Sequence, residues 1–238
     1  MKNMFIGPWY AIIGKSDMQG MNWRDGIFLI AILASILFVG HLLGSFNGNP
    51  IRYVPNNRFW IALLLVIAFL SIGGMMSRGA LEIENVSPHM IVSFELAKTE
   101  THAQKIIDTW KDNFALIKGK NIPLDKVAQK DIKMDFGFIV VYVALLGFLS
   151  FWVADYLSDT RIATLGIVFG WSSVIAGLFD MVENIALLNM LANGATNKLA
   201  QIAFWTAFPK LIITLWVIVP FILIFGLFSL GSVFLIKK

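Results

Sequence analysis

Ionisable side chains at the edges of apolar stretches are the residues of this sequence best suited to chemistry. Asp180, Glu183 and Asn184 are three and four residues apart, so on a helix they share one face. Asp135 directly precedes one apolar stretch, and Lys210 directly precedes another. Carboxylates beside a lysine can pair with each other, hold a charged group of a ligand or exchange protons. These five residues are therefore the first candidates for a functional site.

The spacing of these residues around two short turns predicts that they lie at one level. Helices joined by a tight turn run antiparallel, so residues equidistant from the turn have similar heights. Around a turn near Ser158, Asp135 mirrors position 181, and around a turn near Thr196, Glu183 mirrors position 209. Three consecutive helices should therefore bring together Asp135, Asp180, Glu183, Asn184 and Lys210.

Two further residues belong to this predicted cluster. Tyr142 follows Asp135 by about two helical turns and shares its face. Arg78 closes an earlier apolar stretch on the same side and is a candidate partner for the acidic excess. Two interpretations stay open, a buried structural tie between helices and a ligand, substrate or ion site. Charged side chains at the edge of a membrane span are costly unless they are paired.

The elements that must position this cluster are membrane-spanning helices. Hydrophobic residues make up 58% of the 238-residue chain and charged residues only 14%, against roughly a quarter charged in soluble domains. Uncharged stretches of about 20 residues are long enough to cross a bilayer. We predict an all-α, polytopic membrane protein with about five transmembrane helices, at residues 27–46, 59–76, 136–154, 162–179 and 211–236.

Polarity divides the chain into four parts. Residues 79–133 hold eight lysines and eight acidic residues, so they are too polar to cross a bilayer. We predict an N-terminal amphipathic or interfacial segment at residues 1–26 and a first transmembrane hairpin at 27–78. Residues 79–133 should form a small helical extramembrane cap. Residues 134–238 should form a three-helix transmembrane core with a protruding hairpin at 184–210.

The cap should contain an amphipathic helix. An apolar residue recurs every three or four positions, which is typical of one buried helix face. This face is predicted to hold Ala103, Ile106, Ile107, Trp110 and Phe114. The hairpin 184–210 is too apolar to stand in water alone, so we expect it to pack against segment 79–133.

Several function classes have no support in the sequence. The chain has no cysteine, which excludes disulfides, thiolate metal sites and cysteine nucleophiles. No HExxH, P-loop, dinucleotide or nucleophile-elbow motif is present, so we predict no metal site and name no cofactor. The net charge of +4 fits lysines and arginines that flank membrane spans rather than nucleic-acid binding.

One pattern resembles a known kind of protein. The runs FELAKTETHAQKIIDTW, DFGFIVVY, DMVEN and FPKL resemble a pattern in small multi-pass membrane proteins, bacterial ones especially, to which no activity is assigned. The resemblance covers roughly residues 94–215 and leaves the first predicted span as an addition. It implies a shared organisation around the predicted cluster, and an inner-membrane location if the source is bacterial, and it carries no activity over.

Four hypotheses of function follow, with the lipid bilayer as the common partner. The first is a protein whose cluster binds a lipid headgroup or small amphiphile. The second is a membrane-embedded enzyme that uses a carboxylate as acid or base, and the third is an ion or proton transporter. The fourth is an assembly subunit of a larger complex, with protein partners or further copies of itself. The sequence does not decide whether the protein is an enzyme.

Overall fold

The computed structural model describes residues 57–84, 90–117, 119–157 and 160–226. The predicted segment 1–26 and the first predicted span, 27–46, lie outside the described residues. The last part of the fifth predicted span, beyond Gly226, does so as well.

The described residues form six α-helices and one β-hairpin. The helices are α1 (Arg58–Glu84), α2 (Met90–Glu95), α3 (Glu100–Asp112), α4 (Leu124–Tyr156), α5 (Thr160–Asn193) and α6 (Asn197–Leu211). The strands β1 (Phe114–Ile117) and β2 (Lys120–Pro123) lie between α3 and α4. A π-helical segment, Ile212–Ile218, continues α6, and helical structure extends to Gly226.

Four of the described helices are long and apolar enough to cross a membrane. They are Arg58–Met76, Leu124–Tyr156, Arg161–Asn193 and Asn197–Gly226. The predicted spans 59–76, 136–154 and 162–179 each lie inside one of them. Helices α4 and α5, with 33 and 34 residues, are about 50 Å long, which exceeds the ~30 Å of a bilayer core. These helices identify the chain as a candidate multi-pass membrane protein.

The chain divides into two compact units, and the first contains Leu70–Ile139 and Phe179–Phe208. Its hydrophobic core joins α3, the start of α4, the end of α5 and α6, each through a side chain that is almost fully buried, namely Trp110, Leu124, Leu187 and Ala203. The expected packing of the hairpin 184–210 against segment 79–133 is therefore confirmed. Burial of this apolar surface is the main force that stabilises the first unit.

Helix α3 has the predicted amphipathic face. Ala103, Ile106, Ile107 and Trp110 are buried, and Trp110 stacks edge-on against Phe94 of α2, with ring centroids 5.3 Å apart. Phe114, predicted on the same face, is instead exposed, because the helix ends at Asp112 and Phe114 begins strand β1. That part of the prediction was wrong.

The segment predicted as a small helical cap also contains a β-hairpin, which was not predicted. Strands β1 and β2 pair antiparallel from Phe114 opposite Pro123 to Ile117 opposite Lys120. Gly119, in the connection, has a φ of 74°, a conformation that glycine adopts without steric cost. A glycine between two short β-prone runs is a typical hairpin signal.

The turn between α5 and α6 is tied to the start of α3. The backbone N–H of Glu100 donates to Asn197 Oδ1 at 3.0 Å, and the N–H of Asn197 donates to Glu100 Oε2 at 3.2 Å. Gln104 Oε1 accepts from the N–H of Ala195 at 2.8 Å. These bonds satisfy backbone groups that helix ends leave without partners.

The second unit contains Val140–Leu178, with parts of the chain before Leu70 and after Phe208. Arg58, at the start of α1, pairs with Asp155 near the end of α4 at 2.8 Å. A Cβ on Gly166 of α5 would lie 2.8 Å from Ala154 Cβ and 3.0 Å from the carbonyl oxygen of Ser150. The sequence GxxxG at Gly166 and Gly170 thus permits close packing of α4 and α5, as small residues do in membrane helices.

Candidate functional site

Helix α5 presents the predicted polar residues on one buried face. Asp180 is 5% exposed, Glu183 is fully buried and Asn184 is 3% exposed. Their spacing of three and four residues accounts for this shared orientation. The apolar residues Ala186, Leu187 and Met190 continue the buried side of the helix into the core of the first unit. Three polar side chains are thus held inside an apolar surrounding, which needs compensating interactions.

Helix α4 brings Asp135 to this face. Asn184 Nδ2 donates a hydrogen bond to Asp135 Oδ2 at 2.7 Å, and both residues belong to the first unit. A bond to an ionised acceptor is shorter and stronger than one between neutral groups. The predicted proximity of Asp135 and Asn184 is confirmed. The part these residues play in function stays a prediction.

Asp131 is a candidate that the sequence reasoning missed. It precedes Asp135 by four residues on α4, so the two lie on the same face, one turn apart. Asp131 is 4% exposed, and its Oδ2 atom has no hydrogen-bond partner among the described residues. The spacing from Asp135 was the available signal, but the predicted span began at Phe136 and residues up to 133 were assigned to a polar cap.

Burial changes the protonation of Asp131. This residue lies in the part of α4 that packs in the first unit's core, before the apolar run that starts at Phe136. Loss of hydration raises the pKa of its carboxyl from 3.8 to about 6, and nearby Lys130 opposes this rise. Burial thus shifts the pKa of this carboxyl toward neutral pH.

Tyr142 and Lys210 belong to the second unit. Both are buried, with 7% and 8% exposure. Tyr142 lies on α4 two turns after Asp135, as the sequence indicates. The pairing of Lys210 with the carboxylates of α5 stays a prediction from the register of the helices.

Near Lys210 the helix changes its hydrogen-bonding pattern. The Thr214 hydroxyl donates to the carbonyl oxygen of Lys210 at 2.8 Å, and the N–H of Val219 donates to the carbonyl oxygen of Thr214, five residues back. Pro209 lacks an N–H, which removes one bond from the α-helical ladder. Such π-helical turns are frequent at functional sites.

Arg78 was predicted as a partner of the cluster, and Thr206 is a polar residue on α6 that precedes Lys210. Arg78 lies in α1, but its side chain is outside what the structure describes, so its predicted role stays a prediction. Thr206, one turn before Lys210, uses its hydroxyl to donate to the carbonyl oxygen of Ile202 at 2.8 Å. Its hydroxyl is therefore engaged with its own helix.

The chemistry available to the first unit's site follows from its donor set. Carboxylate oxygens accept hydrogen bonds, and an amide both donates and accepts, so the group suits a ligand with N–H or O–H donors. Within the described residues, no three His, Asp or Glu side chains converge in a way that could hold a metal ion.

Comparisons with known proteins returned no match to this chain, whether with protein-family models, with curated proteins or with solved structures.

Proposed function

We propose that this chain is a multi-pass membrane protein that binds the headgroup of a lipid, or the polar end of a small amphiphile, at an acidic site in its first unit. The acidic site consists of Asp131, Asp135, Asp180, Glu183 and Asn184. The observation that carries the proposal is the hydrogen bond from Asn184 to Asp135, made where the polar part of α4 gives way to its apolar run.

The cost of burying these groups supports a role beyond packing. Ionisable side chains within or beside membrane helices are expensive and commonly mark ligand or ion sites. Asp180, Glu183 and Asn184 are each at least nine-tenths buried, and apolar residues in their place would pack the same helices at less cost. A polar ligand that binds these groups would offset the cost of their burial.

The first unit carries residues of the types found where headgroups meet acyl chains. The Lys98 ammonium lies 4.9 Å from the ring centre of Phe204 and 5.3 Å from that of Trp205. Lysine and tryptophan are enriched at membrane–water interfaces, because each has an apolar body and a polar tip. Their position on α6 and before α3 supports an interfacial level for the first unit.

A test of the proposal is native mass spectrometry of the full chain, released from detergent micelles after purification with its endogenous lipids. We expect a lipid or amphiphile adduct on the wild-type protein, and loss of most of that adduct in Glu183→Gln and Asn184→Ala. Asn189→Ala is the matched control, because Asn189 lies on the exposed side of α5 and donates only to the Ile185 carbonyl oxygen.

Two results would count against the proposal. One is a wild-type chain that carries no adduct under conditions that preserve lipids on other membrane proteins. The other is an adduct retained equally by Glu183→Gln, Asn184→Ala and Asn189→Ala, since it would then bind elsewhere.

One observation favours a second candidate function, a membrane-embedded enzyme with a carboxyl acid or base. The pKa of Asp131, raised by burial to about 6, is of the kind that acid–base catalysis uses near neutral pH. The same mass measurement, repeated after incubation of the chain with an added phospholipid, separates the two functions. A binding protein returns the added lipid with its mass unchanged, whereas an enzyme converts it, and Asp131→Asn abolishes the conversion.

A further inference from the structure

We propose that Lys126, Lys130 and Lys133 form a surface on the outer side of α4 that binds the headgroups of anionic phospholipids. These three residues are called the lysine face. They are separate from the residues of the acidic site, so the inference goes beyond the proposed function and does not depend on it.

The exposed side of α4 carries only lysines before the apolar run of the helix. From the start of the helix to Phe136, the exposed positions are Lys126, Lys130 and Lys133. Spacings of four and three residues place them on one helix face. Ala128, on the opposite side of the helix, is fully buried in the core of the first unit. The helix thus packs through one side and presents a row of ammonium groups on the other.

The height of Lys133 on α4 can be compared with an exposed apolar surface on α5. Asn184 of α5 donates to Asp135 of α4, so residues within two positions of either lie at nearly the same height. On α5, Val182 and Ile185 are 45% and 53% exposed. Exposed apolar side chains that continue a candidate membrane span mark a surface covered by lipid. The acyl region of the bilayer therefore extends to about the height of Lys133.

Helix α4 changes from charged to apolar at the same height. The next exposed position after Lys133 is Gly137, where an added Cβ would have no described atom within 4 Å. The sequence from Phe136 to Ala154 has no charged residue. Helical side chains lean toward the N-terminus of their helix, which for α4 is the end away from this apolar run. The lysine stems can therefore lie along apolar surface while their ammonium groups reach the headgroups.

The charge of the lysine face favours an anionic headgroup. Lys126 Nζ lies 3.7 Å from Asp125 Oδ2, a long ion pair, and the lysine side chain stays 59% exposed. Asp131 neighbours Lys130, but it is buried and only 4% exposed. These two acids reduce the positive potential without covering the ammonium groups. A phosphate with no cation of its own gains most from such a row, since each lysine near an anionic lipid surface adds to the attraction.

The test is a titration of the delipidated full chain in detergent, read by native mass spectrometry. The probes are phosphatidylglycerol, which is anionic, and phosphatidylcholine, which is zwitterionic, with identical acyl chains. At about 0.1 M salt we expect phosphatidylglycerol to bind about tenfold or more tightly, because one lysine contributes about fivefold. At about 1 M salt the screening length falls to about 3 Å, and the preference should fall below about twofold.

Variants of the lysine face assign that preference to α4. The triple variant Lys126→Gln, Lys130→Gln, Lys133→Gln should lose most of the preference, and the corresponding triple arginine variant should keep it. The single variant Lys133→Gln should lower the preference by about two- to fivefold. Thermal unfolding without added lipid verifies that each variant is folded.

A charge-matched control separates the lysine face from net charge. Lys105→Gln, Lys111→Gln, Lys198→Gln removes three exposed lysines from α3 and α6 and should keep the wild-type preference. The inference is overturned if the wild type does not prefer phosphatidylglycerol, if the α4 triple glutamine variant retains the preference, or if this control loses it equally.

The same titration distinguishes the inference from the proposed function. Asn184→Ala should keep the preference for phosphatidylglycerol, whereas the α4 triple glutamine variant should keep the adduct of the buried acidic site at high salt. An adduct that depends on Asn184, without any preference for phosphatidylglycerol, removes the lysine face and leaves the proposed function. A preference that depends on the three lysines, without that adduct, does the reverse.

Discussion

At the residue scale, the acidic site places carboxyl groups beside helices that also pack through apolar residues. The α4 and α5 helices are already joined by buried apolar residues in the first unit and by close contacts at Gly166 in the second. A buried carboxyl without a hydrogen-bond donor costs stability, as at Asp131 Oδ2. Features that cost stability are commonly found at functional sites.

Replacement of Asp131 should stabilise the unliganded protein. Its pKa is raised from 3.8 to about 6, so between these values the folded state binds more protons than the unfolded state. The stability of the wild type therefore falls as pH rises through this window, and the full cost is present above pH 6. We expect Asp131→Asn to raise the melting temperature by about 2–4 °C at pH 7.5.

The control for this measurement is the pH itself. Below about pH 3 the Asp131 carboxyl is protonated in both states, so its burial no longer destabilises the wild type relative to Asp131→Asn and the difference in melting temperature should largely vanish. A variant that is less stable than wild type at pH 7.5 in the absence of lipid would contradict the assignment.

The bond between Asn184 and Asp135 should stabilise the first unit. Asn184→Ala removes the donor at 2.7 Å and leaves a half-buried carboxylate with one fewer partner. We expect a loss of about 1–3 kcal/mol in the free energy of unfolding. Denaturation in mixed micelles would measure it, with Asn189→Ala expected to change stability by less than about 0.5 kcal/mol. Equal losses in both variants would mean that the bond contributes nothing specific.

The proximity of Asp135 and Asn184 could be predicted from the sequence. Counting outward from two turns placed Asp135 beside Asn184, because antiparallel helices and a fixed rise per residue make such counting reliable. Asp131 was missed, since the same counting began at the apolar run after Asp135. Whether Lys210 joins the site stays a prediction, because side-chain direction at the end of a helix with a π-helical turn does not follow from spacing.

At the scale of secondary-structure elements, the amphipathic face of α3 could be predicted from the sequence, whereas the β-hairpin was not predicted. The buried face of α3 follows from a regular repeat of apolar residues. The β-hairpin was missed because its two strands hold four residues each and are only partly buried. Short strands give little periodicity, and the glycine of their connection was the one clear signal.

The small residues of α5 lead to a prediction about helix packing. An added methyl at Gly166 would meet Ala154 Cβ at 2.8 Å and Phe221 Cζ at 2.9 Å, so Gly166→Ala must push the neighbouring helices apart. We expect it to cost about 1–3 kcal/mol of folding free energy.

Gly74→Ala is the matched control for Gly166→Ala. A Cβ at Gly74, in α1, has nothing within 4 Å, so alanine there should be neutral or slightly stabilising through helix propensity. The free energies of unfolding of both variants, measured in detergent, test this prediction. Similar stabilities for the two would show that α4 and α5 do not approach closely at Gly166.

At the scale of the whole molecule, composition alone predicted a polytopic helical chain. Four of the described helices have the length and polarity of membrane spans, and three predicted spans fall within them. The ends of the helices were harder to predict. Helix α4 begins at Leu124, inside the segment 79–133 that was predicted to be a separate polar cap. Tertiary packing in the first unit extends the helix beyond its apolar run.

The absence of cysteine permits a clean test of membrane topology. Ala144 is exposed on α4 near the middle of the predicted span 136–154, so Ala144→Cys should resist a water-soluble maleimide if lipid covers it. Lys111→Cys and Lys198→Cys, both exposed in the first unit, should react from one and the same side of the membrane. Fast labelling of Ala144→Cys in intact vesicles would contradict a membrane span at that position.

The most direct test of the central claim is an experimental structure of the full chain grown from a lipid mesophase doped with phospholipid. We predict headgroup density within hydrogen-bond distance of Asp135 or Asn184, with the acyl chains leading along α4. Density that shows the acidic residues bonded only to protein side chains, with lipid ordered elsewhere, would contradict the account and leave the group as a structural tie.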